Sequence, residues 1–271
     1  MNAIRFSKAS AMFSMRSETG LTLESISRVA PAVLAAAPHP SRSASYKMIS
    51  TSDLITGLGK AGFVPYEVRQ TRSRTEERRA AAKHMLRLRH ESQMGGGTEV
   101  GEVVLLNSHD GTSPYRLMAG VFRMVCSNGL IVGDIGLDLK VQHAGKIDDV
   151  VEASFEVLNN FDRVRDQVER FKQKILSEEA QRKFAQDAIE LRWGQSAPIE
   201  VAQALEVRRT QDLGQDAWTI LNRIQENVVR GGLPGVSKTG KPRHTRTVTN
   251  LSENVRINRG VWRLAESLIE A

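Results

Sequence analysis

Three groups of residues in this 271-residue chain are of the right type and spacing to do chemistry. The first is Gly235-Val236-Ser237-Lys238-Thr239-Gly240-Lys241, which spells the G-x-x-x-x-G-K of a phosphate-binding loop. Such a loop follows a buried strand and opens a helix whose amides hold the phosphates, and its next residue is a Ser or Thr that holds Mg²⁺. Here the next residue is Pro242, which has neither hydroxyl nor N–H, and a helical pattern precedes the motif. An ATP cradle is therefore not expected. What remains is a loop carrying Lys238, Lys241, Arg243 and Arg246, with no acid between Leu233 and Leu251. Such a loop can track a phosphate backbone.

The second group is a basic cluster from Arg69 to Arg89. It includes Arg72, Arg74, Arg78, Arg79, Lys83, Arg87 and Arg89, against Glu76 and Glu77 alone. A basic hairpin beside a sheet suits a nucleic-acid groove, and Arg116 and Arg123 fall where a following helix lines it. Tyr66 and Tyr115 are the aromatic candidates for stacking on bases. The third group, His109, Asp110 and Cys126, has the letters of a Cys/His nucleophile pair. Cys126 falls on an apolar face, where an inert buried thiol is the commoner outcome. No catalytic residue, metal ligand or cofactor is expected. The histidines are scattered and the one cysteine excludes an intrachain disulfide or a Cys-based zinc finger.

The elements that must position these residues read as α+β. Residues 1–44 are Ser/Arg/Ala-rich and read as a poorly ordered arm. Residues 45–176 read as a core of a helix, a three-stranded antiparallel sheet and a second helix, with a small hairpin and then a long helix. The strands are "FVPYEVRQTRSR", "KHMLRLRH" and "EVGEVVLLNSHDG". The second helix starts at Ser113 with Pro114 at its first position and buries Leu117, Met118, Val121 and Phe122. The hairpin "LIVGDIGLDLKV" turns at Gly133-Asp134. The long helix, 148–176, keeps a 4-3-4-3 apolar rhythm from Val150 to Ile175, which serves either the core or a subunit seam. Residues 177–271 read as helical, with a basic loop at 231–250.

The formal charge is +7 and the sequence pI ≈ 9.7, which points to a polyanionic partner. No apolar run is long enough to span a membrane, so a cytoplasmic protein is expected.

Several blocks resemble a known family: "SRSASYKMISTSDLI", "KHMLRLRH", "EVVLLNSHDGTSPYRLMAGVFRMVCSNGLIVGD", "VLNNFDRV", "QENVVRGGLPG" and "VRINRGVWRLAE". They look like the YafZ/YfjQ/YubP proteins of conjugative plasmids and prophages, a domain of unknown function. The resemblance runs from Ser41 onward and implies a bacterial mobile-element protein, without catalytic residues to carry over. The order helix, three strands, helix is also similar to the core of the Redβ/RecT/Erf-type single-strand annealing proteins, which work without ATP or metal. The expectation is a DNA-binding protein of plasmid or phage recombination, acting on single strands and able to self-associate. An anti-defence protein with an acidic host partner is the alternative, and a Cys126–His109 hydrolase the third reading.

Overall fold

The computed structural model describes residues 5–7, 12–44, 46–73, 75–94, 98–124, 128–133, 138–141, 146–237 and 239–270. In chain order the strands are β1 (Arg5–Ser7), β2 (Met12–Arg16), β3 (Phe63–Thr71), β4 (His84–His90), β5 (Glu99–Asn107), β6 (Tyr115–Arg123), β7 (Asn128–Ile131), β8 (Asp138–Val141), β9 (Pro234–Val236) and β10 (Pro242–His244). The α-helices are α1 (Leu23–Val29), α2 (Thr51–Lys60), α3 (Glu76–Ala80), α4 (Ile147–Asn159), α5 (Phe161–Gln173), α6 (Glu178–Trp193), α7 (Val201–Ala204), α8 (Ala217–Arg230) and α9 (Leu251–Glu270). The fold is α+β. The chain divides into two compact units. The first is Met1–Phe122, Ile135–Phe161 and Thr249–Leu251; the second is Arg123–Asp134, Asp162–Val248 and Ser252–Ala271.

In the first unit, antiparallel pairing runs β1-β2-β3-β4-β5-β6, with β8 added to β6. Alternation places His84, Leu86 and Leu88 of β4 on one face and Met85, Arg87 and Arg89 on the other. The first face is covered by α1, α2 and α4. The second face closes on itself. Arg16 on β2 and Phe122 on β6 are four strand spacings apart, roughly 19 Å in a flat sheet. Yet the Arg16 guanidinium lies 4.8 Å from the Phe122 ring centroid. The sheet must therefore curl to bring them together.

The structure departs from the expected order in several places. The sheet is not three-stranded, and the helix expected after Ser113 is strand β6. Leu117, Met118, Val121 and Phe122 fit a helical face, but every residue of β6 except Arg116 is buried. A strand buried on both faces shows no alternation. The arm expected over residues 1–44 is not an arm where it is described. Met15 of β2 lies opposite Val68 of β3, and Met15, Ile26, Val29 and Val33 are buried. Finally, the expected long helix is two helices, parted at Asn160, whose side-chain amide donates to the Glu156 carbonyl. Val150, Ser154, Val157 and Phe161 are buried in the first unit and Val164, Val168 and Phe171 in the second, so the apolar rhythm serves the cores as far as Phe171, while its last member, Ile175, is 65% exposed. β7 and β8 exist, but the expected turn runs into residues outside those described, and β8 pairs with β6.

The second unit is centred on α8, which buries Trp218, Leu221, Ile224 and Val228. Phe171 stacks on Trp218 and meets Trp262 edge-on. The same helix buries Asn222, Gln225, Glu226 and Asn227. Gln225 donates to Asn258, Asn227 to the Ala204 and Glu206 carbonyls and Asn222 to the Trp218 carbonyl, while the Glu226 carboxylate pairs with Arg209 and Arg230.

Candidate nucleic-acid interface

The residues expected to hold phosphate separate into three groups. Arg87 and Arg89 point into the curl, 1% and 5% exposed, and both bond Glu102, at 2.5 Å and 2.9 Å. The Arg89 guanidinium also lies 4.2 Å from the Tyr66 ring and 4.3 Å from the Phe122 ring. Beside them Glu67 pairs with Arg16 and Arg69. Burial alone would raise the Glu67 carboxyl, but Arg69, Arg16 and Arg87 outweigh it and hold it well below the usual range. These arginines are structural ion pairs and cannot reach a polyanion. Arg123 is buried on Asp212, and Arg116 is held by Asp138 at 2.6 Å. Arg87, Arg89 and Arg123 thus leave the expected site by burial, and half-buried Arg116 has its charge taken up by Asp138. The expected stacking residues Tyr66 and Tyr115 are 7% and 0% exposed and leave it too.

Arg74, Lys238 and Cys126 lie outside the described residues. His109, however, is fully buried. Its Nε2 lies 3.3 Å from Thr51 Oγ1, which also meets His84 Nε2 at 3.0 Å and accepts from Asn107 at 3.3 Å. A nucleophile pair using His109 therefore lacks a solvent-facing histidine. Among the described residues no three His, Cys, Asp or Glu side chains converge on a metal site.

What remains of the first basic cluster is a cleft of ≈ 250 Å³ lined by Arg72, Arg78, Lys83, Asp110, Thr112 and Asn250, with Thr71, Ser73 and Ala82. Its frame is rigid for identifiable reasons. Thr71 bonds the Lys83 carbonyl through both its N–H and its hydroxyl, closing the β3–β4 hairpin. Thr75 caps α3, which presents Arg78 and Arg79. Buried Gln70 accepts from the Ala32 N–H and donates to the Arg79 carbonyl, fixing α3 to the sheet. The Asp110 carboxylate is already engaged by the Thr112 N–H and hydroxyl. Burial raises that carboxyl, but these bonds prevail and hold it below its ordinary value.

The cleft thus has three cations against one anion, with hydroxyl and amide donors beside them. Arg72 and Arg79 also reach the ring of Phe13 on β2, at 4.7 Å and 5.3 Å from its centroid. Phe13 is only half-buried. The sequence does not mark it as a stacking residue, because it stands within the expected arm.

The basic loop of the second unit is an antiparallel ribbon of β9 and β10 rather than an open loop. Ser237 closes the turn, bonding Lys241 through both backbone and side chain, with Gly240 at φ +76°. The base is fixed by Val236 N–H to the Pro198 carbonyl and by Thr245 to Leu233. Lys241, Arg243, His244 and Arg246 are exposed along it. Strand β10, not a helix, follows Gly240-Lys241, so the ATP cradle lacks its helix N-terminus.

The family model that matches residues 38–262 is DUF932, a domain of unknown function. This chain belongs to that family. It is similar to two proteins of Escherichia coli (strain K12). It is 41% identical to UPF0380 protein YafZ and 40% to UPF0380 protein YfjQ, in each case over 98% of this chain and 97% of the relative. No solved structure matches. Among the described residues no helix is long and apolar enough to cross a membrane.

Proposed function

We propose that this DUF932 protein binds nucleic acid, single strands in preference to duplex, through the cleft of Arg72, Arg78 and Lys83. One observation carries the reading: exposed and half-buried cations and neutral hydrogen-bond donors converge beside a half-buried ring. A cationic cleft recruits the backbone by displacing counterions. The Arg72 and Arg79 guanidiniums held over the Phe13 ring offer planar cationic surfaces on which an unpaired base stacks, and a duplex does not present its bases that way. A plasmid or prophage setting suits such a protein and rests on the family resemblance. Annealing is not carried forward, because the helix-strand-strand-strand-helix order that suggested it is absent: β6 stands where the last helix was expected.

The test is fluorescence polarisation of labelled oligothymidylate and of a matched duplex over a salt series. Wild type should prefer the single strand, with affinity falling as salt rises. Replacing Arg72, Arg78 and Lys83 by Ala should flatten the log-affinity against log-salt slope by about 2, at roughly 0.7 for each phosphate no longer neutralised. No binding at low salt, or an unchanged slope, sinks the reading.

A further inference from the structure

The second unit carries an independent aromatic–cation arrangement. Helix α6 ends at Trp193, and Gly194, at φ +61°, terminates it. The Trp193 indole is half-buried, and the Arg192 guanidinium lies 4.2 Å from its centroid. Arg192 Nη2 donates to the Arg246 carbonyl, so the indole stands one guanidinium away from the base of the cationic ribbon. Arg192 Nη1 is buried and meets no acceptor among the described residues. The nearby acid, Glu253, is already chelated by Arg256 at 2.5 Å and 2.8 Å. Over Gly194 the space is open: a Cβ there would meet nothing within 4 Å.

A half-buried indole, the guanidinium over one of its faces and the backbone of exposed Arg246 therefore adjoin one another. A base fits the indole face that Arg192 leaves open, and the charge of Arg192 and Arg246 attracts the phosphate beside it. We infer that Trp193, with Arg192 and Arg246, is a second binding point for single-stranded nucleic acid, the base on the indole and the adjacent phosphate on the two arginines. The inference rests on the nucleic-acid reading above and adds a site to it. Burial pulls the Arg192 guanidinium down to about 10, with Glu253 opposing, so it still carries its charge at neutral pH.

The other two tryptophans, Trp218 and Trp262, are 2% and 0% exposed. A change of tryptophan emission on adding oligothymidylate is therefore assignable to Trp193. Saturating oligothymidylate should quench the emission of wild type and of the Arg72/Arg78/Lys83→Ala variant alike. Trp193→Phe should keep most of the affinity and lose the emission change. Trp193→Ala should weaken binding about 5- to 150-fold, the worth of one stacked base. Binding by polarisation without any emission change overturns the Trp193 site and leaves the cleft standing. Quenching with unchanged affinity in the triple variant upholds Trp193 and removes the cleft. Neither binding nor quenching removes both.

Discussion

Buried His84 should make this protein lose stability in mild acid, by an amount the structure sets. The ring is fully buried. Its Nδ1 faces the Ala82 carbonyl at 3.0 Å, so the ring proton sits there, and Nε2 accepts from the Thr51 hydroxyl at 3.0 Å. A second proton would meet that hydroxyl, which accepts in turn from Asn107. Burial lowers the His84 imidazole from 6.5 to about 4, against the opposing pull of the Ala82 carbonyl and of Asp110. The folded chain therefore keeps His84 neutral while the unfolded chain takes up a proton near its ordinary value. The contribution is complete above about pH 7, declines as pH falls, and is gone below about 4. At ~1.4 kcal/mol per unit, the full loss is ~3 kcal/mol, of which ~2 kcal/mol is gone by pH 5. The assay is urea unfolding of wild type and His84→Gln at pH 7.5 and pH 5. The variant is less stable throughout, but its loss between the two pH values should be smaller by ~2 kcal/mol. Equal losses in both proteins would refute the neutral, buried histidine.

Other outcomes follow from the buried charges and from the ribbon. Glu102→Gln strips two buried guanidiniums of their carboxylate and should cost ~3–5 kcal/mol, read as a lower urea midpoint. Arg87→Ala or Arg89→Ala should lower the melting temperature yet leave the salt slope of oligonucleotide binding unchanged. A flattened slope with the fold intact would return them to the interface. Gly235→Ala drives a Cβ into the Pro198 carbonyl oxygen and should destabilise the ribbon by ~1–3 kcal/mol, visible as faster amide exchange at Val236 and Thr245.

Strands β3, β4 and β5 are legible in the sequence because their alternation or apolar runs are bounded by turn residues. The face on which Arg87 and Arg89 lie is legible too, but not that the sheet curls over it. The readable sign is Glu102, a lone acid within the apolar run of β5, which calls for buried partners. Strand β6 is not legible, since its continuous burial leaves no period, and Pro114 imitates a helix start. Phe13 and Trp193 escape a reading of the sequence for different reasons. One stands in a segment without apparent order, and the other ends a helix whose exposed side only the fold reveals.

The inward arginines also guard the pairing of β3 with β4. Glu67 lies opposite Arg87, and Arg69 opposite Met85. A slip of one residue would turn this charged set toward the helices. A slip of two keeps the face but sets Arg69 against Arg87 in one direction and against Lys83 in the other. Both errors set like charges directly against each other. The ion pairs thus act as proofreading for a hairpin whose apolar residues alone would tolerate several alignments.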